Sequence, residues 1–121
     1  MTPAEELASL YEQWRHLTEE EGRAIDAGDW SHVAVCQSGK SRLQPRIVEV
    51  SRRLDAATHE EHFRPVVAQL MEMEHANRDR LQKQREWAEE RRQELDRSSR
   101  HLRQLHQAYV APARPNWQSY S

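Results

Sequence analysis

From Val66 to Tyr109 the chain contains neither glycine nor proline. Those two residues are the ones that most weaken or break a helix interior. The gap predicts one uninterrupted helix of roughly 44 residues, about 66 Å long at 1.5 Å per residue. In a chain of 121 residues, such a helix decides the fold class. Only 3 Gly and 5 Pro occur in all, and β-branched residues are few, which argues against a turn-rich β fold. Hydrophobic residues make up 36%, below the usual roughly 45–50%. That share excludes a large enclosed core and fits helices that each bury one narrow stripe. The length allows a single domain.

Two further helices precede the long one. Thr2-Pro3-Ala4-Glu5 is a capping box with proline at the first helical position. Leu7, Leu10, Trp14, Leu17 and Ala24 then follow at helical spacing, flanked by Tyr11 and Ile25 and interrupted at Glu21. Gly28 and Asp29 supply a C-terminal stop and a new N-cap. Val33, Cys36, Lys40, Leu43, Ile47, Val50, Leu54 and Ala57 form the next seam, in alternating steps of three and four. Pro45 lies within it and predicts a kink near residues 41–45. Residues 55–65 read as the second connection, with Thr58 and Pro65 as competing helix starts. The expected fold is all-α: an antiparallel three-helix bundle over residues 1–109, made of a helical hairpin plus a long, partly projecting third helix. A proline-containing aromatic tail, residues 110–121, completes the chain.

The long helix is unevenly apolar. One heptad position reads Leu81, Ala88, Leu95, Leu102, Tyr109, whereas the other reads Asn77, Gln84, Arg91, Ser98. The first two helices are too short to cover its C-terminal half, so Ala88, Arg91, Leu95, Ser98, Leu102, Leu105 and Tyr109 are candidate partner-binding residues. An amphipathic helix without a neighbour points to a homodimer or to a bound helix from another protein. Glu21, Lys40, Asn77, Gln84 and Arg91 interrupt the seams with polar side chains. They are either exposed or form a buried layer that fixes register, with Glu21 pairing Lys40 or Arg91. Charge is unevenly spread as well. Residues 1–30 carry eight acids against two arginines, and residues 78–103 carry nine basic residues against six acids.

Chemistry-bearing motifs are weak. Ser38-Gly39-Lys40-Ser41 resembles the end of a phosphate-binding loop but has Ala34 where the first glycine belongs, and it lies in a helix. Glu72 and His75 have the Glu-x-x-His spacing of di-iron bundles, which need two such motifs and two further carboxylates. Cys36 sits on an apolar seam, where a free thiol behaves as a small hydrophobe. No nucleophile–base constellation is legible, so the chain is expected not to be an enzyme and to need no cofactor or metal. Six acids interleaved with the basic run argue against nucleic-acid binding. No basic or apolar leader opens the chain, no stretch reaches membrane-spanning length, and one cysteine fits a reducing cytoplasm.

Glu19-Glu20-Glu21 followed by Ala24-Ile25-Asp26-Ala27-Gly28-Asp29-Trp30, then Cys36, Lys40 and Leu43, resembles the FlgN-like flagellar type III export chaperones. The stretch Leu70 to Arg78, continuing to Leu81 and Gln84, is similar to that family's Asn-x-x-x-Leu-x-x-Gln segment. The resemblance implies a cytoplasmic chaperone without ATPase activity, monomeric or weakly dimeric. Its client would be a C-terminal helical segment of hook–filament junction (hook-associated) subunits, delivered to the export apparatus. The client surface would fall on Leu95, Leu102, Leu105 and Tyr109; Trp117 and Tyr120, in a tail without a counterpart in that family, would either clamp the client or fold back over the stripe when it is empty. The alternative is a structural coiled-coil scaffold that homodimerises through the third helix.

Overall fold

The computed structural model describes residues 1–110. Three helices follow one another: α1, Pro3–Ala27; α2, Trp30–Ser51; and α3, Ala56–Val110. The fold is all-α, a helical hairpin joined by a long third helix. The chain divides into two compact units, Met1–Gln84 and Arg85–Ser121. The first is a three-helix bundle made of α1, α2 and the N-terminal half of α3. The described part of the second is the remainder of α3.

The start and end of α1 follow the sequence signals. Thr2 accepts a hydrogen bond from the Glu5 amide at 3.2 Å, and Pro3 occupies the first turn, where its missing N–H costs nothing. Gly28 ends the helix at φ 68°, the left-handed region that a residue without Cβ enters freely. Its N–H reaches Ile25 O at 3.0 Å, and the Asp29 N–H reaches Ala24 O at 2.9 Å. Asp29 then caps α2 by accepting from the His32 amide at 3.2 Å.

The second connection differs from the expectation. It is not residues 55–65 but the four residues 52–55, so α2 stops at Ser51 instead of continuing to Ala57. Asp55 rather than Thr58 begins α3: its carboxylate accepts from the Thr58 amide at 2.6 Å and its carbonyl from the His59 amide at 3.0 Å. Hydrogen bonds from the Thr58 hydroxyl and then its amide hold the Asp55 carboxyl below the usual carboxylate range. Pro65 neither starts nor breaks a helix, because α3 runs through it. Pro65 and Glu61 are both exposed, so the carbonyl that loses its helical donor faces water. The third helix is therefore 55 residues long, not 44. Likewise, α2 runs unbroken through Pro45.

The core of the bundle comes in two pieces. Near the chain's N-terminus, Leu7, Leu10, Tyr11, Val50, Phe63 and Leu70 pack together, with Leu43, Ile47 and Val67 against them. Near the Gly28 turn, Ala24, Ile25 and Val33 form a smaller cluster with Leu81. The α2 seam is inward as its spacing predicts: Val33, Cys36, Lys40 and Val50 are buried and Leu43, Ile47 and Leu54 half-buried. Ala57 is exposed instead. Between the two apolar pieces lies a polar layer.

Candidate functional site

The polar layer is built on α1, where Trp14, Thr18 and Glu21 follow one another at steps of four and three. Lys40 enters from α2, and Glu74 and Asn77 enter from α3. The Lys40 ammonium lies 2.6 Å from Glu74 Oε1, 3.2 Å from Glu21 Oε1 and 3.4 Å from Thr18 Oγ1. It also sits 5.3 Å from the centre of the Trp14 ring, in cation–π range. Glu74 Oε1 in addition accepts the Trp14 indole N–H at 3.1 Å. Asn77 Nδ2 donates to Thr18 O at 2.9 Å and to Glu21 Oε1 at 3.1 Å. Lys40 and Glu21 side chains are 8% and 5% exposed, so this is an ion pair removed from water and surrounded by donors. Among the described residues, no buried side-chain polar atom lacks a partner. A fully satisfied layer of this kind fixes which residues face one another, because any shift along a helix would strand a charge.

Of the five polar seam residues, Glu21, Lys40 and Asn77 enter the layer, and Glu21 pairs with Lys40. Gln84 lies two helical turns beyond Asn77 on α3, donating to Ile25 O at 3.0 Å. Arg91 does not join: it is exposed and stacks over Trp87, its guanidinium carbon 5.2 Å from the ring centre. The phosphate-loop reading of Lys40 ends here, since its ammonium is committed to two carboxylates. Charge complementarity between α1 and α3 is limited to Asp26 with Arg80, 3.3 Å apart, among the described ion pairs. Glu6 is instead held by Arg46 of α2 and Arg53 of the 52–55 connection.

Two surfaces are open to a partner. A groove of about 450 Å³ runs beside the layer in the first unit, lined by Trp14, Ile47, Val48, Leu70 and Met71, with Glu74 among its polar atoms. The second surface belongs to the second unit. Every residue from 85 to 109 is exposed. Leu95, Leu102, Leu105 and Tyr109 are 66%, 65%, 42% and 82% exposed, and Ala88 and Ser98 share their helix. Arg92 ties the polar side of this segment together by ion pairs with Glu89 and Asp96. Trp117 and Tyr120 lie outside the described residues.

Among the described residues, no third metal-type ligand gathers with Glu72 and His75. The group that does form is Glu20, His32 and Cys36, whose ligand atoms all lie within 4.8 Å of one another. Cys36 is buried as its seam position predicts, and burial, reinforced by Glu20 and Glu21, pushes its thiol pKa up.

Thr18, Glu74 and Trp14 escaped the sequence reading as members of the layer. Their signal was present in the spacing. Leu7, Tyr11, Trp14, Thr18, Glu21 and Ile25 advance in strict steps of four and three, and so do Phe63, Val67, Leu70, Glu74, Asn77, Leu81 and Gln84. Scoring apolar residues alone rotates both stripes off this seam.

Among the described residues, no helix is long and apolar enough to cross a membrane. No family model, curated protein or solved structure matches the chain.

Proposed function

We propose that this protein is a helical chaperone or adaptor that receives an amphipathic helix from a client on the 85–109 segment. The observation that carries the reading is the exposure of Leu95, Leu102, Leu105 and Tyr109 at steps of seven, three and four. Those steps present the four side chains along one helix face, the pattern of anchors in helix-to-helix recognition. Exposed large apolar side chains that recur along one face carry a standing cost in water, which a client helix would relieve. The polar layer supports the reading from the other side. It gives the first unit a fixed register of its own, so the second unit is not needed to complete that core. By its resemblance to flagellar export chaperones, the client is a C-terminal helical segment of a hook–filament junction subunit, held in the cytoplasm until export.

The test is a titration of the full chain with a synthetic peptide of such a segment, read by calorimetry and by light scattering. The expected result is a 1:1 complex formed from a monomer or weak dimer. A tight homodimer at micromolar concentration that ignores the peptide would instead identify a coiled-coil scaffold pairing through α3.

A further inference from the structure

Glu20 of α1 and His32 and Cys36 of α2 bring three different metal-ligand chemistries to one point in the first unit, close to the Gly28 turn. His32 and Cys36 are four residues apart on α2, so both face α1 from one side of the helix. Glu20 Oε2 lies 3.6 Å from His32 Nε2 and 4.0 Å from Cys36 Sγ. The remaining oxygen, Oε1, is held by His16, one turn earlier on α1, whose Nε2 is 3.0 Å away. Thus one carboxylate oxygen is occupied by a histidine while the other faces an imidazole nitrogen and a thiol.

We propose that Glu20 Oε2, His32 Nε2 and Cys36 Sγ form a binding site for a single zinc ion, with His16 as the residue that positions the Glu20 carboxylate. Bonds of roughly 2.0–2.3 Å to tetrahedral zinc place neighbouring ligand atoms roughly 3.3–3.8 Å apart. The 3.6 Å pair already meets that spacing, the 4.0 Å pair needs to close by tenths of an ångström, and His32 with Cys36, within 4.8 Å of each other, must close by up to about an ångström through side-chain rotation. Thiolate, imidazole and carboxylate together favour zinc over magnesium or calcium, which take oxygen ligands. On binding, the Cys36 S–H bond breaks, its electron pair forms the Sγ–zinc bond and the proton leaves to solvent. One thiolate and one carboxylate then balance the 2+ charge, and water fills the fourth position. His16 in this arrangement is the hydrogen-bonded neighbour that a ligating carboxylate usually has. His32 and Glu20 are partly exposed, which gives the ion a path to the buried sulfur. The site goes beyond the client-binding reading and is independent of it: the ion would clamp α1 to α2 within the first unit and uses no residue of the 85–109 segment.

The experiment is titration of the untagged, reduced full chain with Co²⁺, followed by displacement with Zn²⁺. The expected result is a thiolate-to-cobalt charge-transfer band with intense visible d–d bands, saturating at one equivalent and abolished by zinc. Zinc should also raise the melting temperature by several degrees. Cys36→Ala should lose the charge-transfer band. His32→Asn changes a partly exposed side chain and spares the core, so it keeps the test valid if Cys36→Ala unfolds; it should weaken Co²⁺ binding at least about tenfold. His16→Ala should retain the band with roughly tenfold weaker binding. Weak, octahedral-type absorption without a sulfur band would overturn the proposal, as would Co²⁺ binding that is the same in His32→Asn.

Discussion

A Cβ atom on Gly22 would stand 2.7 Å from Asn77 Oδ1 and 3.3 Å from an Arg80 guanidinium nitrogen. The glycine is what lets Asn77 reach across to Thr18 O and Glu21 while Arg80 donates to its oxygen at 2.9 Å. Gly22→Ala adds helix propensity worth about 1 kcal/mol but pushes Asn77 off its buried partners, at a cost of roughly 1–3 kcal/mol per stranded group. Net destabilisation of about 1–2 kcal/mol is expected in urea unfolding. Gly39→Ala should go the other way by several tenths of a kcal/mol. There the new Cβ meets only the end of the half-buried Leu17, at 3.1 Å, which can turn aside.

Lys40→Met should be among the most damaging single changes in the bundle. It leaves Glu21 buried without its counter-charge, and such losses run to about 3–5 kcal/mol. Adding Glu21→Gln should recover part of the loss, because the stranded charge is removed. Urea midpoints of the two single variants and the double variant measure the coupling. Strict additivity would show that the two residues do not act as a pair.

Pro65→Ala should stabilise the protein. The proline forfeits one backbone hydrogen bond within α3 and crowds the Glu61 carbonyl, so its replacement gains up to about 3 kcal/mol. A rise in the thermal midpoint checks it, and an unchanged midpoint would mean that α3 tolerates the ring without cost.

Leu102→Asp combined with Leu105→Asp should leave the thermal midpoint within about a degree or two, because both side chains are exposed and surface changes usually stay within ±0.5 kcal/mol. The same variant should lose binding of a client helix. A large drop in stability would show that the two leucines belong to a core.

Acid should weaken the fold in a defined window. Hydrogen bonds to Arg15, to Arg53 and Arg46, to Thr58 and to Arg92 hold the carboxyls of Glu12, Glu49, Asp55 and Glu89 below their ordinary values. A carboxyl depressed in the folded state stabilises it above the unfolded pKa, and that stability is lost as pH falls through the folded value. The melting temperature should therefore be flat above about pH 5 and fall below about pH 4. A flat profile down to pH 2 would contradict these contacts.

The sequence made the helices legible where local chemistry alone decides them. Thr2, Gly28 and Asp29 each act through partners at most five residues away, and their readings hold. Where several local signals compete over a few residues, the reading failed. Asp55 displaced Thr58 as the start of α3, and Pro65 was absorbed because its neighbouring carbonyl has water. At the candidate site, Lys40 and Glu21 were readable as a pair from their seam positions. Glu74 was not, since a glutamate at a core position is recognisable only once a lysine and an indole are seen to converge on it. Glu20, His32 and Cys36 were invisible for the same reason: they meet only across the hairpin.

The unbroken exposure from residue 85 to 109 also bears on proteolysis. Six arginines, Arg85, Arg91, Arg92, Arg97, Arg100 and Arg103, stand on that segment, each a cleavage point for trypsin. A helix without buried contacts opens often, so its peptide bonds should be cut well before those of the first unit. A bound client would slow that cleavage, and the rate at which the segment is trimmed becomes a direct gauge of its occupancy.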